Sequence, residues 1–207
     1  DSSNNRVLIF NSIPSSNNAS ANVVVGQANM SSNSDNQGGS VAANTLYGPN
    51  GVITAGTKLI ISDTNNSRVL IYNSIPSSNN ANANVAVGQP DLVSGTGSSG
   101  SADVLNVPQQ AASDGTKLII PDFSNNRTLI FNTIPTVSGA SADYEVGQVD
   151  MTGWSANQGE SPSAYTMKGP HGVFNDGSRL YVADTTNNRV LIYNSIPAAN
   201  NTPADVV

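Results

Sequence analysis

The chain contains no cysteine, one histidine (His171), one tryptophan (Trp154) and only two glutamates, Glu145 and Glu160. Without cysteine there are no disulfides, thiolate metal sites or cysteine nucleophiles, although the compartment stays open. A catalytic zinc ion ordinarily takes three protein ligands, and a lone histidine does not supply them. The abundant serines have no general base beside them except that histidine, and no catalytic residue is assigned. Charge is also scarce. Asp, Glu, Lys and Arg make up 11% of the 207 residues, against about 25% in an average soluble domain. Eight Lys and Arg against fourteen Asp and Glu leave a net charge of −6, which argues against a nucleic-acid partner. No apolar run approaches the roughly 18 residues of a membrane span. No leader is legible, because residue 1 already opens a repeat loop.

What is present is a neutral polar surface, rich in Ser, Thr and Gly and with about one residue in seven Asn. Through it runs a repeat. DSSNNRVLIFNSIP from Asp1 returns as DTNNSRVLIYNSIP from Asp63, DFSNNRTLIFNTIP from Asp122 and DTTNNRVLIYNSIP from Asp184, at intervals of 62, 59 and 62 residues. Val-Gly-Gln ends at Gln27, Gln89 and Gln148, and a marker proline stands at Pro49, Pro108 and Pro170. N-x-S/T sequons begin at Asn18, Asn29, Asn65, Asn126 and Asn200, and read as ordinary polar loops in so Asn-rich a chain.

Each period predicts four short strands. The first follows the marker proline (51–54, 111–113, 172–174), the second is 58–62, 117–121 and 179–183, the third is 68–72, 127–131 and 189–193 with 6–10 as its first copy, and the fourth ends in Val-Gly-Gln. Runs such as KLII and RVLI do not alternate, so both faces of these strands must be covered. With no helical periodicity in the chain, other sheets must cover them. The expected fold is therefore all-β, a propeller of four-stranded antiparallel blades with about 3.5 blades in 207 residues. It forms one region, 1–207, with a partial blade at 1–27, blades at 50–89 and 109–148, and a last blade at 171–207 whose fourth strand is incomplete. The connections are polar loops, with short helical turns expected at 42–46 and 164–167.

Pro170-His171-Gly172-Val173 followed by Leu180-Tyr181-Val182-Ala183-Asp184-Thr185-Thr186-Asn187-Asn188-Arg189-Val190 resembles the NHL-repeat β-propeller family, particularly its large extracellular bacterial members. The copy at Asp122 departs from the pattern, with Phe123 after the aspartate and Gln110-Ala111-Ala112 in place of Gly-Val. The resemblance implies a secreted or cell-surface protein. It also implies that Asn50, Gln109 and His171, which follow the marker prolines, face a central channel as binding candidates. In the peptide-amidating lyases of that family a histidine in P-H-G-V helps to bind zinc, and His171 holds the matching position.

Asp63, Arg68, Asp122, Arg127, Asp184 and Arg189 recur where the second strand turns into the third. An aspartate there sets the turn by accepting backbone N–H bonds. The alternative is Ca²⁺, which wants six to eight oxygens and several carboxylates; one carboxylate per loop makes a poor cage. No metal site or cofactor is therefore expected, with Ca²⁺ at the loops or Zn²⁺ at His171 as alternatives. Near-uniform repeats with no catalytic constellation weigh against an enzyme. They favour an extracellular scaffold that binds protein or glycan, or further copies of itself through exposed blade edges. The alternatives are part of a six-bladed hydrolase or lyase with a metal in its channel, and the subunit of an extracellular filament.

Overall fold

The computed structural model describes all residues from Asp1 to Val207. It is all-β, with thirteen strands in four antiparallel sheets, none of which closes on itself. Sheet I holds β1 (Val7–Ile9) and β2 (Val23–Val25). Sheet II holds β3 (Gly51–Ala55), β4 (Lys58–Asp63), β5 (Arg68–Tyr72) and β6 (Val85–Val87). Sheet III holds β7 (Ala112–Ser113), β8 (Leu118–Asp122), β9 (Arg127–Phe131) and β10 (Tyr144–Val146). Sheet IV holds β11 (Pro170–Asn175), β12 (Leu180–Asp184) and β13 (Arg189–Tyr193), and Val206 bridges Ile192 where a fourth strand belongs. Within each sheet the strands follow one another as a meander.

Three apolar cores lie between consecutive sheets. Val7, Val23 and Val25 of sheet I meet Leu59, Ile61, Leu70 and Tyr72 of sheet II. The other face of sheet II, with Ile60, Val69, Ile71 and Val87, meets Leu118, Ile120, Leu129 and Phe131 of sheet III. Ile119, Ile130 and Val146 on the far face of sheet III then meet Leu180, Val182, Leu191 and Tyr193 of sheet IV. Adjacent residues of β4, β5, β8 and β9 thus enter different cores, which is why these strands lack a polar face. The first strands of successive sheets also approach closely, and Gln110 makes a parallel bridge to Gly172.

β7 is the shortest strand of sheets II to IV, in keeping with the departure of Gln110-Ala111-Ala112 from the repeat. At the helical turns expected at 42–46 and 164–167 only single hydrogen-bonded turns form, Thr45 N–H donating to the Ala42 carbonyl and Thr166 N–H to that of Ser163. Short 3₁₀ turns that the sequence did not suggest lie at Asp35–Gly38 and Ala156–Gly159, where Asn-Gln pairs adopt left-handed backbone. Those asparagine amides pair across the sheets, Asn36 with Asn66 and Asn157 with Asn187. The side-chain pairing fixes turns that the apolar pattern of the linkers does not reveal.

The Val-Gly-Gln marker has a direct structural cause. Gly26, Gly88 and Gly147 have φ of +92°, +86° and +102°, and each lies against a linker side chain, Leu46, Leu105 or Met167. A Cβ on Gly88 would stand 2.5 Å from Leu105. Gly56 also has positive φ, but nothing lies within 4 Å of it. Gly88→Ala should therefore cost about 2–4 kcal/mol, combining left-handed strain with overpacking, whereas Gly56→Ala should cost about 1 kcal/mol. Urea midpoints of the two variants check this, and equal losses would refute the packing term. The following glutamine uses its amide to join two carbonyls: Gln89 Nε2 donates to the oxygens of Ser67 and Thr96 at 3.0 and 2.9 Å, and Gln27 and Gln148 do the same in their own repeats.

Candidate functional site

The repeated chemistry of this chain is concentrated in four Asp–Arg stations. In each, a three-residue 3₁₀ turn follows the aspartate, the next residue takes left-handed backbone, and the arginine begins the return strand or directly precedes it; Asp63, Asp122 and Asp184 each end a strand. In sheets II to IV the aspartate and arginine are paired across the hairpin. At the second station Asp63 Oδ2 accepts from Arg68 Nε at 2.7 Å and Asn66 Nδ2 at 2.8 Å, while Oδ1 accepts the Tyr47 backbone N–H at 2.7 Å. The guanidinium continues outward. Nη1 donates to the Leu92 carbonyl, and Nη2 to those of Ala42 and Thr45. The third station repeats this, with Asp122 joined to Arg127, Asn125 and Asn106, and Arg127 donating to the carbonyls of Met151, Ser101 and Val104. Arg68 and Arg127 thus each clamp the linker that enters the sheet to the linker that leaves it, whereas Arg189 reaches only the entering linker, at Ser163 and Thr166, and Arg6 only the leaving one, at Met30.

Both central pairs have fully buried side chains, while Arg189 is slightly exposed and the Asp1–Arg6 pair is partly open. Burial pushes the carboxyls of Asp63 and Asp122 up, to about 6 for Asp122, against the pull of the arginine and of the N–H donors. Asp122 receives only N–H donors, one of them cationic, and so stays ionised at neutral pH. In Asp63 and Asp122 both carboxylate oxygens are engaged by protein donors, which fits a clamp better than a Ca²⁺ cage.

The residues after the marker prolines share the edge formed by the first strands. Asn50 donates its amide to Gln109 Oε1, and Gln109 in turn donates to the Val107 carbonyl at 3.1 Å. Gln109 is buried, and its backbone oxygen accepts from Ser62 Oγ at 2.7 Å. These two candidates therefore meet. His171 does not join them. It is exposed, lies at a register shift between Pro170 and Gly172, and sets its ring edge-on to Phe123 with centroids 6.4 Å apart. No cluster of three His, Cys, Asp or Glu residues occurs in the structure. With Asn50 and Gln109 as its counterparts and Phe123 as its neighbour, the position of His171 does not fit the zinc site that the family resemblance implied. Trp154 is exposed, and its backbone oxygen is held by Asn126 Nδ2 at 3.0 Å.

Glu145, one of the two glutamates, is tied into the fold by two backbone N–H donors. Glu145 occupies the same register in its fourth strand as Val24 and Ala86, and is fully buried. One carboxylate oxygen accepts the Gln148 N–H at 3.0 Å and the other the Asn201 N–H at 3.1 Å. Burial pushes its carboxyl up to about 7, because the N–H bonds and a more distant Arg127 offset only part of the lost hydration. The signal in the sequence was an acidic residue in a strand with both faces covered.

A second device recurs between sheets. The turn joining the third strand to the fourth reaches back to the free edge of the preceding sheet. Asn79 Oδ1 accepts the Val24 N–H, and the Asn80 N–H donates to the Val24 carbonyl. Ser138 and Gly139 do this for Ala86, and Asn200 and Asn201 for Glu145. Asn80, Gly139 and Asn201 all have positive φ. The otherwise unpaired N–H and C=O of each fourth strand are thereby satisfied.

No known protein-family profile matches the chain, and no curated protein is significantly similar to it.

Proposed function

We propose that this chain is a stretch of NHL-type β-propeller acting as a non-enzymatic extracellular scaffold, which presents neutral polar loops to a protein or glycan. The observation that carries this reading is the use made of the repeated polar residues. The buried Asp–Asn–Arg stations direct nearly all their donors and acceptors at the protein's own turns and linkers, leaving no buried charged group aimed at an open cleft. Stacked antiparallel sheets whose first strands approach one another support the propeller geometry. The low charge of the surface favours recognition by amide and hydroxyl groups over electrostatic steering.

Metal content, measured on chain purified without chelator, tests the reading together with thermal unfolding before and after EDTA. The expected result is no stoichiometric metal and an unchanged Tm. One bound zinc lost in His171→Ala, or calcium whose removal lowers Tm, would overturn it in favour of a metal-dependent hydrolase or lyase.

A further inference from the structure

The linkers 28–49 and 149–168 follow one backbone frame and differ in what they carry. Asn36 and Asn157 have φ of +47° and +51°, and Gln37 and Gln158 of +56° and +57°. Gln37 Nε2 donates to the Asn44 carbonyl and to Asn80 Oδ1, just as Gln158 Nε2 donates to the Tyr165 carbonyl and to Asn201 Oδ1. Thr45 and Thr166 close the same turn, each hydroxyl accepting the N–H of Ala42 or Ser163. On this common frame two side chains change character. Glu160 stands where the first linker has Gly39, and Tyr165 where it has Asn44. The backbone does not call for the first change. Gly39 (φ −125°, ψ −151°) and Glu160 (φ −116°, ψ −169°) are both extended, a conformation open to any residue. Packing does not call for the second, since Tyr165 is 47% exposed.

Glu160 and Tyr165 line one open cleft with Gln158, Ser161 and Asn201. It sits at the junction of sheets III and IV, where Asn200 and Asn201 cap the backbone of Glu145. Gly39 and Ser40, the counterparts of Glu160 and Ser161, are exposed even with the next linker lying across from them, so the opening belongs to the repeat itself. The chemistry of the cleft is selective. Tyr165 offers an apolar ring with a polar tip, and the Glu160 carboxylate only accepts. Arg189 donates to the Ser163 and Thr166 carbonyls of the same linker, and its charge disfavours a cation there. Glu160 disfavours an anion. A neutral ring with one C–H face and several hydroxyls meets both conditions.

We propose that this cleft is a subsite for a neutral glycan, in which Tyr165 stacks on the apolar face of one sugar ring and Glu160 accepts hydrogen bonds from its hydroxyls. This rests on the scaffold reading and narrows its partner to a glycan. A rigid repeat holds the loop in place, and exchange of two side chains on it creates the site.

Native electrophoresis through gels containing soluble β-glucan, galactomannan, arabinoxylan or dextran tests this. At least one of these polysaccharides should retard the parent chain, and high salt should not abolish the effect. Tyr165→Asn and Glu160→Gly install the residues that the first linker carries on the same backbone, so both variants should keep the parental Tm. Each should raise the dissociation constant about tenfold, the worth of one stacked ring or one charge-assisted hydrogen bond. A parent chain that none of these polysaccharides retards overturns the proposal. Retardation that survives both substitutions, or that is lost only in Trp154→Ala, overturns it too, since Trp154 is exposed on the same linker but outside the cleft. Binding of oligolysine that disappears at high salt assigns the cleft to a cationic partner and also overturns it. None of these outcomes alters the metal measurement, so the glycan subsite and the metal-free scaffold fail separately.

Discussion

Arg127→Ala is expected to remove about 3–5 kcal/mol of stability, the cost of leaving a buried charge without its partner. Against a typical total of about 5–15 kcal/mol, that is a large fraction of the whole. The argument rests on what Arg127 touches. Asp122 would remain fully buried with only Asn125 and the Asn106 N–H as donors, and the carbonyls of Ser101, Val104 and Met151 would lose theirs. Arg127→Lys should fail nearly as badly, since an ammonium cannot present the planar fork that reaches the carboxylate and both linkers together. Replacing the pair with apolar residues often rescues a buried salt bridge. Here Asp122→Leu with Arg127→Met should not, because the linker carbonyls and the Asn106 N–H stay unpaired. Arg6→Ala provides the internal control. Its pair with Asp1 is partly exposed, and the loss should be under about 1 kcal/mol. Urea unfolding of the four variants checks the series. Equal losses for Arg6→Ala and Arg127→Ala, or full rescue by the apolar double variant, would show that clamping the linkers contributes nothing.

The repeat made much of this legible before any coordinates. Unbroken apolar runs at β4, β5, β8 and β9 implied sheets covered on both faces, and the three cores supply that cover. The Asp-to-Arg spacing implied a turn-setting station, though not its reach. That Arg68 joins residue 42 to residue 92 depends on linker paths no periodicity encodes. The 3₁₀ turn at Asp35–Gly38 was not legible because Asn36 and Gln37 adopt left-handed backbone, held by amide pairs to distant asparagines. The Asn–Asn edge caps stayed hidden for a related reason. Asparagine is so common in this chain that those with a structural duty do not stand out from those that only solvate a loop. Of the candidate site, the resemblance implied only that Asn50, Gln109 and His171 face one channel; the hydrogen bond between Asn50 and Gln109 is a side-chain contact that repeat position alone does not encode. His171 stands apart although Gln109 lies at an equivalent register shift, between the Pro108–Asp122 bridge and the Ala112–Ile119 pair.

Stability should rise as pH falls from 8 to about 5, opposite to the behaviour of a protein held by ordinary surface carboxylates. The carboxyl of Glu145 is raised from 4.5 to about 7 and that of Asp122 from 3.8 to about 6. Between the unfolded and folded values the native chain binds more protons than the unfolded chain, so the slope of unfolding free energy with pH is negative there. The favourable contribution is fully present below the unfolded values and is lost as pH rises through about 6 and then about 7. For Glu145 alone the displacement corresponds to about 3 kcal/mol. At the acid end the sign reverses. Asp91, Asp114, Asp150 and Asp176 have lowered values because backbone and side-chain donors hold their charged forms. What they contribute is lost only as pH falls below the normal carboxylate range, so the maximum should lie near pH 5. Glu145→Ala isolates the main cause, because it places in sheet III the side chain that sheet II already carries at Ala86. The variant should flatten the rise between pH 8 and 5.5 while keeping the acid limb, and should match or exceed the parent at pH 8. Thermal unfolding at half-unit pH steps measures both curves. A parent Tm that is flat or climbs from pH 5.5 to 8 would mean that the two N–H donors at Glu145 outweigh its desolvation, leaving the buried carboxylate as an ordinary anchor between sheets III and IV.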